Sequence, residues 1–308
     1  MAAAPVALVG TTASGKSHVA MDVAQRRGDV VILCVDSMCV YRHLSIGTAK
    51  PSVSDQTLVP HGLVDLVDPE TDFSVAQFQG FARDAMTSAQ QRGQIPLLVG
   101  GTGLYHRAVI DDLELPGQFD DIAKDLMAEL EANGSEALFA RLETLDPVAA
   151  TRMEKTNARR IVRALEVTIG SGRPFSSFGP GLEAYPASGI RQLGIDFDRE
   201  AVDRSIICRV DSMIEQGFVE EVRALLARNQ PLARTAAKAT GYAQMTRHLA
   251  GELTLEEAKQ EIVVATRQLA RRQWAWFRRD PRIEWFSRDE IAEPLEAALE
   301  AAARSVRD

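Results

Sequence analysis

The sequence predicts an α/β protein, in which a parallel sheet flanked by helices carries a helical insertion. Three observations lead there. Short apolar runs of strand length alternate with runs whose apolar positions fall at helical spacing. The first such strand ends in a glycine-bounded loop that opens a helix. From about residue 119 to 170 strand signals nearly vanish, while alternating apolar and charged positions continue at helical period.

Residues 5–10 (Pro-Val-Ala-Leu-Val-Gly) form a short apolar run ended by glycine, which predicts a strand buried on both faces. The loop 10–17 leads to a helix over 18–27, and Val30–Val35 reads as a second buried strand. A helix is predicted over 73–92 with Ser74 as N-cap. A third strand, Ile95–Val99, ends in Gly100-Gly101-Thr102-Gly103. Beyond Pro116 the pattern predicts helices over 121–132 and 135–144, and Asp146-Pro147 opens another. A loop rich in Gly, Ser and Pro spans 170–189. Ile190–Phe197 reads as a strand again, 199–228 and 254–279 as long helices, and Glu293–Asp308 as an Ala/Glu-rich helix that packs or solubilises. The expected division is a core of 1–117 with 190–308 and a helical insertion domain of 118–189.

Composition narrows the function classes. The 308 residues are 45% hydrophobic and 25% charged, as in ordinary globular proteins. The net charge of −8 supplies no overall basic field, so any RNA contact must rest on local clusters of Arg and Lys. Three cysteines, Cys34, Cys39 and Cys208, lack paired metal-ligand spacing and read as free thiols in a reducing compartment. The five histidines form no H-x-x-x-H pattern. No apolar run approaches the ~18–20 residues of a membrane span, and the start has no charged n-region. A cytoplasmic protein, free of membrane, is expected.

The loop Gly10-Thr11-Thr12-Ala13-Ser14-Gly15-Lys16-Ser17 matches G-x-x-x-x-G-K-[ST] at every fixed position. Glycines let the backbone turn so that successive N–H groups point inward at phosphate oxygens, and the following helix adds its positive end. Lys16 is a charge for the outer phosphate, and Ser17 is placed to ligate Mg²⁺. The sheet is therefore expected to be P-loop NTPase-like. The motif names phosphate and leaves the reaction open. The second strand runs into Asp36, which could be a general base, a magnesium-water ligand or a helix N-cap. The glycine run around Thr102 puts a hydroxyl and open backbone at the sheet's ligand edge.

Asp36-Ser-Met-Cys-Val-Tyr41, Ile46-Gly-Thr-Ala-Lys-Pro51, Val99-Gly-Gly-Thr-Gly-Leu-Tyr105, Arg163-Ala-Leu-Glu-Val167 and Ala265-Thr-Arg-Gln-Leu-Ala-Arg-Arg-Gln273 resemble the bacterial tRNA dimethylallyltransferases, also called tRNA isopentenyltransferases. The resemblance runs from the first strand to about Trp285. It implies that the loop holds dimethylallyl diphosphate with Mg²⁺. The acceptor would be N6 of the adenosine 3′-adjacent to the anticodon (position 37) in tRNAs reading codons that begin with U. Pyrophosphate would leave. In that scheme Asp36 accepts the amine proton, Thr102 hydrogen-bonds near the amine, and Arg209 steadies the leaving diphosphate with Lys16; the alternative for Arg209 is a solvated helix arginine.

The resemblance also implies an RNA-facing set that grips an anticodon stem-loop. It comprises Asp36, Ser37, Met38, Cys39 and Thr102 at the sheet edge. Lys124, Arg159, Arg160 and Arg163 lie in the insertion, and Lys238, Gly241, Tyr242, Arg271, Arg272, Gln273 and Arg278 lie toward the C-terminus. Arg267, Arg271, Arg272, Arg278 and Arg279 are interleaved with Trp274, Trp276 and Phe277. This pattern suits phosphates and an unstacked base, or simply a solvated basic face over core aromatics. Reaching N6 requires extruding the base. A monomer is expected. Departures from the family pattern are Cys39 for Gln, Ala243 for Arg, His43 and Ser45 for Gly and Asp, Lys124 for Arg, and Asn157-Ala158 without the usual Asp. Three other functions stay open on the residues. A small-molecule kinase would use Arg159, Arg160 and Arg163 in a lid. A transferase acting on free adenine nucleotide would not need the insertion. An RNA-binding module would keep the loop as a remnant.

Overall fold

The computed structural model describes residues 3–179 and 181–304. From the amino end come β1 (Val6–Val9), α1 (Lys16–Arg27), β2 (Val30–Val35), α2 (Val53–Leu58), β3 (His61–Gly62), α3 (Val75–Gln91), β4 (Ile95–Gly100) and α4 (Gly103–Ile110). A helical stretch follows with α5 (Asp120–Leu145), α6 (Pro147–Thr151) and α7 (Ala158–Ser171). The chain then continues as β5 (Arg191–Ile195), α8 (Arg199–Glu215), α9 (Phe218–Leu226), α10 (Arg234–Ala237), α11 (Tyr242–Leu249), α12 (Leu255–Phe277), β6 (Ile283–Phe286) and α13 (Ala292–Arg304).

The strands form one six-stranded sheet in the order β3-β2-β4-β1-β5-β6. Every pairing is parallel, with Val6 opposite Leu97, Val30 opposite Ile95 and Gln192 opposite Ile283. The alternation of side chains along each strand feeds two separate cores. Val31, Leu33 and Val35 of β2 join Leu98, Phe78, Phe218 and Tyr242 on one face. Val30 and Ile32 join Leu8, Leu97, Val23 and Leu299 on the other. Burial on both faces is why these strands read as unbroken apolar runs instead of alternating ones.

Ser74 caps α3 through a reciprocal box with Gln77, and Thr254 caps α12 in the same way with Glu257. Two short strands went unread in the sequence, β3 and β6. The expected helix over 199–228 is two helices, because Gly217 stands at φ 96°, a conformation the α-helix cannot contain. Gly134, at φ 76° inside α5, likewise separates the two helical runs expected on either side of it. The predicted last helix ends, as described, at Arg304; the remainder of that expectation, residues 305–308, lies outside the described residues, as do Met1 and Ala2 of the start.

Two compact units result: Met1–Asp111 with Ala187–Asp308, and Asp112–Pro186. The second has its own core of Leu126, Leu138, Phe139, Leu142, Ile161 and Leu165. Within it, Asp146 caps α6 at Ala149 N and accepts from Ser176 N (2.7 Å) and its hydroxyl (2.7 Å).

Candidate active site

Parallel strands carry their loops out at one edge, and in the order β2-β4-β1 the loops after three adjacent strands converge there. The loop after β1 is Gly10–Ser17. Ala13 (φ 61°) and Gly15 (φ 90°) are left-handed, which turns the backbone back toward the N-terminus of α1. The Lys16 ammonium donates to Thr11 O (3.0 Å), and Ser17 stands exposed with its hydroxyl unengaged by any described residue. Burial holds the Lys16 pKa down to about 8, against the opposing pull of Asp36.

Asp36 leaves β2. Its Oδ1 accepts from Met38 N (2.8 Å) and Cys39 N (3.3 Å), closing the turn that follows the strand. One oxygen is thus committed to the backbone, and the other is left for a ligand. Val35 pairs with Gly100, so the run after β4 lies beside this turn. There Thr102 Oγ1 accepts from Ser37 N (3.1 Å), which leaves its own hydrogen free to donate.

Arg209 reaches in from α8 and donates from Nη1 to Thr12 Oγ1 (3.1 Å). It lies in the cavity, not in solvent, and burial lowers its pKa from the ordinary guanidinium value. The cavity has a volume of about 380 Å³ and is lined by Lys16, Ser17, Asp36, Cys39, Lys50, Arg209 and Gln273, among others. The thiols of Cys34 and Cys39 are buried at this place. Burial and the Asp36 charge push Cys34 up to about 12 and Cys39 well above its ordinary value, so neither is a thiolate nucleophile at neutral pH. Among the described residues no group of three or more His, Cys, Asp or Glu is arranged to hold a metal.

One wall of the cavity is the segment Gly47–Pro51, and its anchor was not legible in the sequence. Glu221 at the start of α9 accepts from Ser45 N (3.0 Å), Ile46 N (2.8 Å) and Gly47 N (3.3 Å), and also from the Tyr242 hydroxyl (2.7 Å). Lys50, in turn, donates to Tyr41 O (2.5 Å) and Asp65 Oδ1 (2.6 Å). Gly47 has no room for a side chain: a Cβ would stand 2.5 Å from both the Phe218 and Tyr242 rings. A first-turn acid on a helix is too common to have singled out Glu221.

The residues expected to face RNA separate into groups. Arg271, Arg272 and Arg278 are exposed around the end of α12, Lys238 is exposed after α10, and Lys124, Arg159 and Arg160 are exposed in the helical unit. None of these seven side chains has an ion-pair or hydrogen-bond partner among the described residues. Arg163 instead ties α7 to Glu166 and to the carbonyls of Pro116 and Gly117. Tyr242 is 2% exposed, so its ring braces the cavity wall and does not reach the surface, and Gly241 opens α11 beside it. Gln273 is turned inward to Thr12. Trp274 packs on Phe197 and Trp285, and Trp276 on Gly103, so these rings are engaged within the fold.

The sequence model of the family described as IPP transferase matches residues 39–280. The chain is 46% identical over 286 residues to the tRNA dimethylallyltransferase of Nocardioides sp., covering 92% of this chain and 91% of that one. The chain belongs to the IPP transferase family. It is also 46% identical over 282 residues to the tRNA dimethylallyltransferase of Streptomyces coelicolor, across 92% of this chain and 89% of the relative. Among solved structures it resembles the full-length tRNA isopentenylpyrophosphate transferase from Bacillus halodurans, with 34% identity, a TM-score of 0.69 and 99% of both chains covered. A eukaryotic dimethylallyltransferase, captured acting on tRNA, shares the fold at a TM-score of 0.76 and 23% identity, over 96% of this chain and 77% of that one.

Proposed function

We infer that this protein is a tRNA dimethylallyltransferase. It transfers the dimethylallyl group of dimethylallyl diphosphate to N6 of the adenosine 3′-adjacent to the anticodon, in tRNAs reading codons that begin with U, and releases pyrophosphate. The observation that carries the reading is the meeting of Asp36 and Thr102 with a phosphate loop across three adjacent strands. The shared name of its full-length relatives supports it. A kinase, or a transferase acting on free nucleotide, has no such support.

The diphosphate lies in the loop, against the N-terminus of α1. Lys16 and Arg209 supply positive charge as the bond from the allylic carbon to oxygen breaks and charge builds on the leaving diphosphate. The adenine amine forms the new carbon–nitrogen bond. Its proton passes to the Asp36 oxygen that the Met38 and Cys39 amides leave free, and the Thr102 hydroxyl orients the amine. Magnesium fits the donors present, because the Ser17 hydroxyl is exposed and unengaged and Mg²⁺ usually takes only one or two protein oxygens beside substrate phosphates. When bound, the ion neutralises diphosphate charge. We assign the helical unit, with Lys124, Arg159 and Arg160, to the anticodon stem, and Arg271, Arg272, Arg278 and Lys238 to neighbouring phosphates. We expect a monomer working in the cytoplasm. No helix among the described residues is long and apolar enough to cross a membrane.

The test is incorporation of labelled dimethylallyl diphosphate into unmodified tRNA, with and without Mg²⁺, in wild type and Asp36→Asn. Asparagine keeps the oxygen that accepts from Met38 and Cys39 but cannot take the proton. The label should be adenine-linked and Mg²⁺-dependent, and kcat should fall by about 10²–10⁴ in the variant, the range for a lost general base. Label appearing only on free AMP or ATP would replace this reading with nucleotide transfer.

A further inference from the structure

We propose that Arg288 is a further binding residue for the diphosphate, a third cation that grips the occupant of the phosphate loop from its solvent side. The inference rests on the reading above, that a diphosphate donor is held at Gly10–Ser17, and adds a residue to that site.

Arg288 lies outside every motif read from the sequence, in the connection between β6 and α13. Because β1, β5 and β6 are parallel, this connection leaves the sheet at the same edge as the phosphate loop. It is fixed on both sides of the arginine. Asp196 N donates to Phe286 O (2.8 Å), which carries the pairing of β5 and β6 to the residue before Ser287. The Ser287 hydroxyl donates to Glu290 Oε2 (2.6 Å), and Ser287 O accepts from Glu290 N (3.2 Å) and Ile291 N (3.1 Å). Ile291 is fully buried, so the turn is pinned to the core. Arg288 Nε, its guanidinium carbon and Cδ lie 2.7, 3.0 and 3.3 Å from the point where a Cβ on Gly15 would stand. The guanidinium end thus fills the space that a side chain there would take. Gly15 is needed twice over, for its left-handed φ of 90° and for the room it leaves the arginine.

The arginine is held against the loop and yet bonded to nothing. It is exposed, and it has no hydrogen-bond or ion-pair partner among the described residues, neither the adjacent Asp289 nor Glu290, which takes the Ser287 hydroxyl. A guanidinium carries five N–H donors and no acceptor. These stand beside the residue that opens α1, where backbone N–H groups and the positive helix end collect phosphate oxygens. An anion in the loop supplies the missing acceptor, and the planar fork suits two of its oxygens at once. Lys16 and Arg209 line the cavity and hold the diphosphate from within, whereas Arg288 meets it from solvent. From there it touches the bound donor and the released pyrophosphate alike. It therefore strengthens binding without favouring the transition state, and its loss should appear in KM and not in kcat.

The test is calorimetric titration of the full chain by magnesium pyrophosphate without tRNA, together with KM for donor and for tRNA in the transfer assay. The proteins are wild type, Arg288→Met and Arg288→Lys. Methionine keeps an unbranched stem over Gly15 and removes the charge. It should raise the pyrophosphate Kd and the donor KM about three- to tenfold, between an exposed ion pair and a charge-assisted hydrogen bond. kcat and the KM for tRNA should stay within about twofold, the resolution of such a comparison, with Tm unchanged. Lysine, which keeps the charge but not the fork, should fall between methionine and wild type. Unchanged pyrophosphate affinity in the methionine variant would overturn the inference. So would a rise confined to the KM for tRNA, which would give the arginine to RNA, a loss of kcat alone, or a lysine variant no tighter than methionine. Wild-type transfer to tRNA tests the proposed function separately. Pyrophosphate binding that depends on Arg288 in a chain that transfers nothing would sink that function and leave the anion contact standing.

Discussion

Glu221→Ala should be strongly destabilising although it touches none of the reacting groups. The carboxylate holds four donors, two on each oxygen, and three of them belong to the consecutive residues that lead into the cavity wall. The Ser45 bond is exposed, and water can replace it and much of the Ile46 bond, at a cost of about 0.5–1 kcal/mol each. The Tyr242 hydroxyl is different. Its residue is 2% exposed, and an orphaned buried donor costs about 1–3 kcal/mol. A loss of about 2–5 kcal/mol follows, read as a drop in the urea midpoint at unchanged m, or as about 3–8 °C in Tm for a chain of this size. Tyr242→Phe, which deletes only the hydroxyl, should cost about 1 kcal/mol. The double variant should be more stable than the sum of the two predicts, by about 1–2 kcal/mol, because it no longer buries an unpaired hydroxyl. A cost below about 1 kcal/mol for Glu221→Ala, or strict additivity with Tyr242→Phe, would refute the anchor.

Three further outcomes follow from the site. Lys16 is protonated below its pKa of about 8, and only that form attracts the diphosphate; kcat/KM for the donor should therefore fall above pH 8, approaching tenfold per unit, and Lys16→Arg should move the fall upward out of the range. Arg271→Ala with Arg272→Ala removes two exposed, unpaired cations, so KM for tRNA should rise and the salt slope of tRNA binding should shrink by about 1–2, with donor KM and Tm unchanged. Iodoacetamide at neutral pH should label exposed Cys208 rapidly and leave Cys34 and Cys39 unmodified, with activity retained; fast loss of activity on labelling at Cys39 would contradict the neutral buried thiols.

What could be read from sequence followed the range over which each feature is determined. The loop Gly10–Ser17, the strands Val30–Val35 and Ile95–Gly100 and the Ser74 cap are set by neighbours within a few residues, and periodicity or motif reveals them. The strand Ile283–Phe286 is held by pairing with Arg191–Ile195, some ninety residues earlier, and four residues show no period of their own. His61–Gly62 is shorter still. The break between α8 and α9 was signalled by Gly217, but apolar spacing on either side masked it. In the site, Asp36 and Thr102 were legible because each ends a recognisable strand. Glu221 and the inward turn of Gln273 were not, because the backbone groups they bind lie more than 170 residues away and no local pattern distinguishes them.

The order of the strands bears on the chemistry itself. Asp36 leaves β2, the glycine run with Thr102 leaves β4, and the phosphate loop leaves β1, with β4 between the other two. Neighbouring strands lie about 4.8 Å apart, so two steps set the backbone that carries Asp36 about 10 Å from the strand that leads into the phosphate loop. In the transfer proposed above, the amine, the allylic carbon and the diphosphate would lie in line across that gap. The intervening strand supplies glycines where bulk would block the path and one hydroxyl where the amine arrives. A sequential strand order, with β2 directly beside β1, would halve the gap and press the carboxylate against the diphosphate, where like charges repel. At two strands' distance Asp36 still acts on both Lys16 and Arg209. The crossover that inserts β4 thus sets the base proposed here, Asp36, apart from the phosphate loop while its charge still reaches Lys16 and Arg209.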